Sequence, residues 1–298
     1  MSVQGHLRKM KHSLDKKGDV QYILAVVDEN YAEGLQDNKD LAQDDYLFST
    51  NINDFLGKKL ELEYQGKINC ISCGRKTNKS FNQGYCYPCL NAKAQCDVCI
   101  IKPELCHFDN GTCRDNDFAQ EYCNIKHSIY LSLTSALKIG ITRQNQEKTR
   151  WVDQGAVQAI RLCTVDRRYH AGLLEVELAK QMTDKTNWRK MLKNEYPEMN
   201  LKTQKENVLE DLAELLESAS FDQDLDYVYE SIDEDADAKI VNIKYPVLEY
   251  PEKVKSFNLD KDPNVEGTLM GIKGQYLIFD TGVINLRKYA GYLMEFKW

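Results

Sequence analysis

Apolar residues are patterned most clearly near the two ends and in the middle of the chain. The run QYILAVV, with Tyr22 to Val27 almost continuously apolar, predicts a buried strand. In KKLELEY, Leu60, Leu62 and Tyr64 alternate with Glu61 and Glu63, which predicts a strand with one solvated face. The stretch between them, DENYAEGLQDNKDLAQDDYLF, is polar and reads as loop-rich. Further on, IYLSL and LKIGI flank a small-residue turn and predict a β-hairpin. The basic stretch ITRQNQEKTRW could open a helix. AGLLEVELAKQM sets Leu174, Leu178 and Met182 four residues apart on one helical face. A second amphipathic helix begins near residue 203, with Val208, Leu212, Leu215 and Leu216 on its apolar side. The last 35 residues read as strands, with a turn at Asp280-Thr281-Gly282 and with Gly267, Gly271, Gly274 and Gly291 suited to bends in a small curved sheet or barrel. A lone hairpin is marginal in water. The C-terminal strands are therefore expected to pair with KLELEYQGKI.

The pattern implies an α+β fold. It places an N-terminal β part at 1–69, cysteine-rich modules at 70–127, a compact hairpin-and-helix unit at 128–200, a helix with an acidic segment at 201–263, and a C-terminal β part at 264–298 that completes the N-terminal one. The length of 298 residues and the 42% hydrophobic content suit a soluble globular protein. No apolar run is long enough to span a bilayer and no secretory signal opens the chain, so a cytoplasmic protein is expected.

Charge changes this picture only when it is read locally. The formal net charge is −7, which taken alone argues against a polyanionic partner. Yet residues 126–193 hold 13 Lys or Arg against 6 Asp or Glu, and residues 57–114 net +4. Residues 206–264 hold 17 acidic and 5 basic residues. A basic centre is what a phosphate-binding surface requires. The acidic run DQDLDYVYESIDEDADAK reads as a solvated linker, with mimicry of nucleic acid as the other reading.

Nine of the ten cysteines fall between Cys70 and Cys123. In a reducing compartment such clusters bind metal more often than they form disulfides. Cys70-x-x-Cys73, twelve further residues and Cys86-x-x-Cys89 have the spacing of two knuckles closing one tetrahedral tetrathiolate zinc site. Four thiolates leave no open position, so this zinc is expected to be structural. A second set offers Cys96, Cys99, Cys106, His107, Cys113, Cys123 and His127 for a second zinc. Cys96, Cys99, Cys106 and Cys113 make the simplest choice. His107 can stand in for Cys106, and Cys123 with His127 for either late cysteine. Cys163, in the apolar run AIRLC, reads as a buried thiol without chemistry.

The central unit resembles the GIY-YIG nuclease superfamily. Ser128-Ile129-Tyr130 resembles the GIY element, and Lys138-Ile139-Gly140 the YIG element in a KIG form. Arg150 lies ten residues after Gly140, where the superfamily carries its arginine. Leu173 to Lys180 is similar to the helix that presents its metal-binding glutamate, here Glu175. Asn187, twelve residues beyond, matches a late asparagine in spacing. Over nearly the whole chain, CGRKTNKSFNQGYCYPC, KPELCHFDNGTCR, RWVDQGA, DKTNWRKML and GIKGQYLIFDTGVINLRKY also resemble an uncharacterised bacterial family of unknown function.

The superfamily resemblance implies Mg2+-dependent hydrolysis of a DNA or RNA phosphodiester. Tyr130 would be the general base or would position the water, with Lys138, Arg143 and His170 as cations able to lower its pKa. Arg150 would neutralise the scissile phosphate, and Glu175 would hold Mg2+. Ser128 and Lys138 depart from the glycine and tyrosine of the pattern. The competing readings are a packed Tyr130, a surface Glu175 and an Arg150 paired with Asp153 or stacked on a ring. Two other functions fit the same sequence: a non-catalytic nucleic-acid-binding protein, and a zinc-dependent protein-interaction scaffold.

Overall fold

The computed structural model describes residues 2–36, 47–181, 187–217, 233–234 and 238–298. Most of the acidic run at 222–239 lies outside the described residues, as do Met182 and the side chains of Leu215 and Leu216. The fold is α+β with antiparallel sheets. Contacts divide it into two units: residues 1–92 with 244–298, and residues 93–243.

The first unit is built on a sheet of nine strands. Its N-terminal strands are β1 (Ser2–Leu7), β2 (Lys11–Leu14), β3 (Val20–Val27), β4 (Leu47–Asn51) and β5 (Lys59–Ile68). After β9 (Asp233–Glu234) and β10 (Val241–Asn242), which belong to the second unit, the sheet resumes with β11 (Asn264–Lys273), β12 (Tyr276–Phe279), β13 (Gly282–Asn285) and β14 (Tyr292–Lys297). The order is β13-β12-β11-β5-β14-β1-β3-β2, with β4 also on β3. Thus β5 lies between β11 and β14, with Leu62 opposite both Val265 and Phe296. Alternation decides its faces: Leu60 and Leu62 are buried, while Glu61 and Glu63 bind the ammonium of Lys297 at 2.9 and 2.8 Å. Asp280 and Thr281 form the two-residue connection between β12 and β13.

The polar stretch expected to be loop holds a helix, α1 (Glu29–Gln36). The Asp28 carboxylate accepts from the Asn30 N–H at 2.7 Å and its carbonyl from the Tyr31 N–H, so a side chain capable of capping starts the helix where periodicity gave no sign of one.

One buried lysine gives this unit a pH response. Lys273 has no exposed surface and lies 5.2 and 5.4 Å from the ring centres of Tyr245 and Tyr250. Burial pulls its pKa down from the ordinary 10.5 to about 7. Between those values the unfolded chain binds the extra proton, so stability rises with pH, by up to about 1.4 kcal/mol per unit. Urea midpoints at pH 6.5, 8 and 9.5 should therefore climb in the wild type and flatten in Lys273→Met. An identical pH dependence in both proteins would contradict this.

The second unit is built on β6 (His127–Leu133), β7 (Leu137–Arg143) and β8 (Gln158–Val165). The order is β10-β8-β6-β7, with β9 on β8. Central β6 is buried along its whole length, including His127, Ser128 and Ser132. Ile129, Leu131 and Leu133 share a core with Leu174 and Leu178 of α5 (Arg168–Gln181) and with Val208 and Leu212 of α7 (Leu201–Glu217). Cys163 is buried in the same core. Shorter helices are α2 (Tyr87–Ala92) in the first unit and α3 (Asn116–Tyr122), α4 (Glu147–Asp153) and α6 (Trp188–Leu192) in the second. No described helix is long and apolar enough to cross a membrane.

Candidate functional site

The first cysteine set extends directly from the sheet. β5 ends at Ile68, and the Asn69 N–H donates to the Gly291 carbonyl at 2.9 Å, just before β14. The Asn69 amide donates to the Gly74 carbonyl at 2.7 Å, and Gly74 takes φ +68° to turn the first knuckle. Cys86 and Cys89 come from the second turn and from α2. The ligand atoms of Cys70, Cys73, Cys86 and Cys89 all lie within 4.8 Å of one another, and the Cys73 and Cys86 sulfurs are 3.7 Å apart. Zn–S bonds of 2.3 Å in a tetrahedron put sulfurs about 3.8 Å apart. Burial pushes the Cys70 thiol up, but N–H groups of Cys86, Cys73 and Ser72 outweigh it and leave its pKa below the ordinary value. Burial raises Cys73 and Cys89. Three of the four cysteines are buried, and four thiolates packed this closely need a cation. The group could hold a metal ion, and zinc fits its donors.

The second cysteine set lies in the second unit. Four short turns and α3 carry it: Ala94–Cys96, Val98–Ile100, Pro103–Leu105 and the loop through Cys113. Cys99, Cys106, Cys113 and Cys123 line one small cavity. The neighbouring Cys99 thiol holds the Cys106 pKa down to about 6. Asp97, Cys99 and His107 also bring their ligand atoms within 4.8 Å. Asp97 is engaged by Arg114 at 2.6 Å, and the His107 Nδ1 by the Thr112 hydroxyl at 2.8 Å. His127 is held elsewhere: its Nδ1 donates to the Ile125 carbonyl at 2.7 Å, and its buried Nε2 has no hydrogen-bond partner. Burial lowers its pKa to about 4.

The third group centres on Tyr130. Its cross-strand partner is Gly140, and the phenol ring lies over that glycine. A Cβ at Gly140 would stand 2.6 Å from the Tyr130 hydroxyl. The Trp151 ring meets Tyr130 edge-on at 5.9 Å. Gln154, at the C-terminal end of α4, links the phenol to Arg150. With its amide nitrogen 3.1 Å from the Tyr130 hydroxyl, its oxygen accepts from Arg150 Nε at 3.1 Å and Nη2 at 3.2 Å, and both amide ends are satisfied.

Glu175 projects from α5 into the same field. Burial raises its pKa, and Lys138, Arg150 and Arg168 pull it back, while Glu104 opposes them. Lys138 is lowered by burial, then by Arg150, with Glu175 acting against both. Tyr130 is fully buried, Lys138 and Glu175 are half-buried, and Arg150 is exposed. The site thus runs from the core to the surface.

Tyr130, Lys138, Arg150 and Glu175 therefore lie within reach of one another's charge, whereas the other expected residues are engaged by different partners. Arg143 stacks on Tyr122 at 4.8 Å. His170 is buried between the Asp166 carboxylate at 2.5 Å and Arg167 at 2.9 Å. Asn187 caps α6, accepting from the N–H groups of Arg189 and Lys190. The expected lowering of the Tyr130 pKa is reversed. Burial raises it to about 12, and Arg150 offsets only part of that. Gln154, Arg168 and Glu104 belong to the site but were not singled out from the sequence. Arg150 and Gln154 stand four apart on α4, and that spacing was the one available signal for Gln154.

No curated protein and no solved structure matches the chain. Residues 57–294 match a family model described as a protein of unknown function (DUF2797).

Proposed function

Because the chain belongs to this family of unknown function, we propose its activity from its own residues: a zinc-containing, GIY-YIG-like protein that acts on DNA or RNA by Mg2+-dependent phosphodiester hydrolysis. The observation that carries the proposal is that Tyr130, Arg150 and Glu175 lie close enough to shift one another's ionisation, with Tyr130 joined to Arg150 through Gln154. Zinc at Cys70, Cys73, Cys86 and Cys89, and a second zinc in the later cysteine set, would be structural.

Arg150, exposed and held at its base by Gln154, presents a guanidinium to a phosphate. Lys138 adds positive charge beside it. Mg2+, when bound at Glu175 with its own waters, supplies Lewis-acid polarisation of the phosphate and a more acidic water. One carboxylate among three cations attracts a lone Mg2+ weakly, so substrate phosphate supplies the missing negative charge and completes the site. Tyr130 stays protonated at neutral pH and is buried. In place of a base or a group that positions the water, Tyr130 takes a supporting role here: it fixes Gln154, and through it Arg150.

The test is an assay of labelled DNA and RNA panels with Mg2+ or Mn2+. Glu175→Ala should lose about 100-fold or more in cleavage rate, an effect of the size seen when an electrostatic catalytic group is removed. Tyr130→Phe should lose less, because only a supporting hydrogen bond disappears. Absence of cleavage by the wild type, or equal cleavage by all three proteins, rejects hydrolysis. The protonated Tyr130, and Lys138 where the superfamily carries tyrosine, favour one second reading, a nucleic-acid-binding protein without catalysis. It would show binding that weakens steeply with salt and no product.

A further inference from the structure

We propose that Cys99, Cys106, Cys113 and Cys123 form a second tetrathiolate zinc site, whose occupancy fixes the N-terminal half of α5. The geometry brings these four cysteines from three turns and the end of α3 to one cavity. Cys99 sits in the Val98–Ile100 turn, Cys106 follows the Pro103–Leu105 turn, and Cys123 ends α3. The Cys113 thiol donates to the Asp115 carbonyl at 3.4 Å, so its side chain must rotate, and the other sulfurs must draw closer, for the shell to close around an ion.

The segment also lacks another means of holding its shape. Between Lys93 and Tyr122 the buried residues are small or few: Ala94, Asp97, Pro103 and Ala119. Several of its larger apolar side chains face outward, with Ile101 75% and Val98 53% exposed, and Ile100, Phe108 and Phe118 are only half-buried around the cavity. Thirty residues of short turns cannot bury enough apolar surface to fold by themselves, and chains of this kind depend on a metal or disulfides. Cys99, Cys106, Cys113 and Cys123 form no disulfide.

What the segment holds in turn is α5. The Arg168 guanidinium donates to the Ile100 carbonyl at 2.6 Å, and the Arg168 N–H to the Cys123 carbonyl at 2.8 Å. Arg167 pairs with Asp109 at 2.8 Å. Gly172 meets the Pro103 turn so closely that a Cβ there would lie 2.5 Å from Pro103. Each of these anchors is a proposed ligand or lies within three residues of one, and Glu175 lies one turn beyond Gly172. The metal site stands independently of the hydrolysis proposal, and its test reads metal and backbone protection rather than activity.

The experiment uses the full chain purified under reducing conditions, with metal counted by mass spectrometry. The wild type should hold about two zinc ions per chain, Cys123→Ser about one, and Cys96→Ser and His107→Ala about two. Hydrogen exchange of the α5 amides from Arg168 to Glu175 should quicken in Cys123→Ser and not in Cys96→Ser. Should Cys123→Ser not fold, Co2+ titration of the metal-stripped wild type decides instead: two equivalents with tetrahedral thiolate spectra support the site. A wild type that binds one equivalent overturns it. So does loss of an ion from Cys96→Ser or His107→Ala with Cys123→Ser intact, or unchanged α5 exchange in a Cys123→Ser protein that has lost its ion.

Discussion

Cys86→Ser should release one metal ion and unravel residues 69–92 while leaving the nine-stranded sheet folded. The reasoning starts from magnitudes. Structural zinc in small cysteine modules contributes about 10–16 kcal/mol of binding free energy, and a whole domain is stable by about 5–15 kcal/mol. Two knuckles cannot survive that loss. The sheet can, because Leu62, Leu269, Met294 and Phe296 are buried in it, while the knuckle cysteines form a cluster of their own with Tyr85. The damage should stop at hydrogen bonds joining the two, among them those from the Asn69 N–H to the Gly291 carbonyl, from the Thr77 N–H to the Ile68 carbonyl at 2.9 Å and from the Ser80 hydroxyl to the Ala290 carbonyl at 3.1 Å. Hydrogen exchange should report fast amides in 69–92 and protected amides in β5 and β11. Chelation of the wild type should reproduce the pattern, and the variant should be indifferent to chelator. A variant with full metal content and unchanged exchange would refute the metal site.

Gly140→Ala should damage both stability and the site around Tyr130. The new methyl would stand 2.6 Å from the phenol oxygen and 2.7 Å from its ζ carbon. The ring is fully buried against Trp151, so it has nowhere to retreat. Overpacking of this kind costs about 1–3 kcal/mol. Any tilt of the ring also breaks the chain through Gln154 to Arg150, and misplacement by an ångström costs about 100-fold where geometry carries the rate. Thermal unfolding together with cleavage or binding measures both effects. A double-mutant cycle with Tyr130→Ala isolates the clash: the two changes together should cost clearly less than their sum. Strict additivity, or an undisturbed Gly140→Ala, would show that the contact is not restrictive.

Local pattern made much of the architecture legible. The alternation around Leu62, the hairpin at Ile129 and Ile139 and the helical spacing of Leu174 and Leu178 each depend only on near neighbours, and each element is present. Tertiary context decided the rest. Asp28 starts a helix in a stretch with no apolar period. Spacing among the cysteines carries no record of which unit each set packs into, and the division falls between Ala92 and Lys93, after the first set and before the second. Tyr130, Lys138, Arg150 and Glu175 could be picked from motif order. The raised pKa of Tyr130 could not, because burial is a property of the folded strand. Asn187 matched by spacing, yet its side chain caps α6.

The position of β5 also sets an order of events during synthesis. Its partners β11 and β14 begin about 200 residues after it ends, so at ribosomal rates of 5–20 residues per second it waits roughly 10–40 s. During that time both of its edges are open to other nascent chains. Glu61 and Glu63, later neutralised by Lys297, put negative charge on the waiting strand and discourage adventitious pairing. Their carboxylates thus serve the chain before its fold exists, as guards against aggregation while the inserted second unit is still being made.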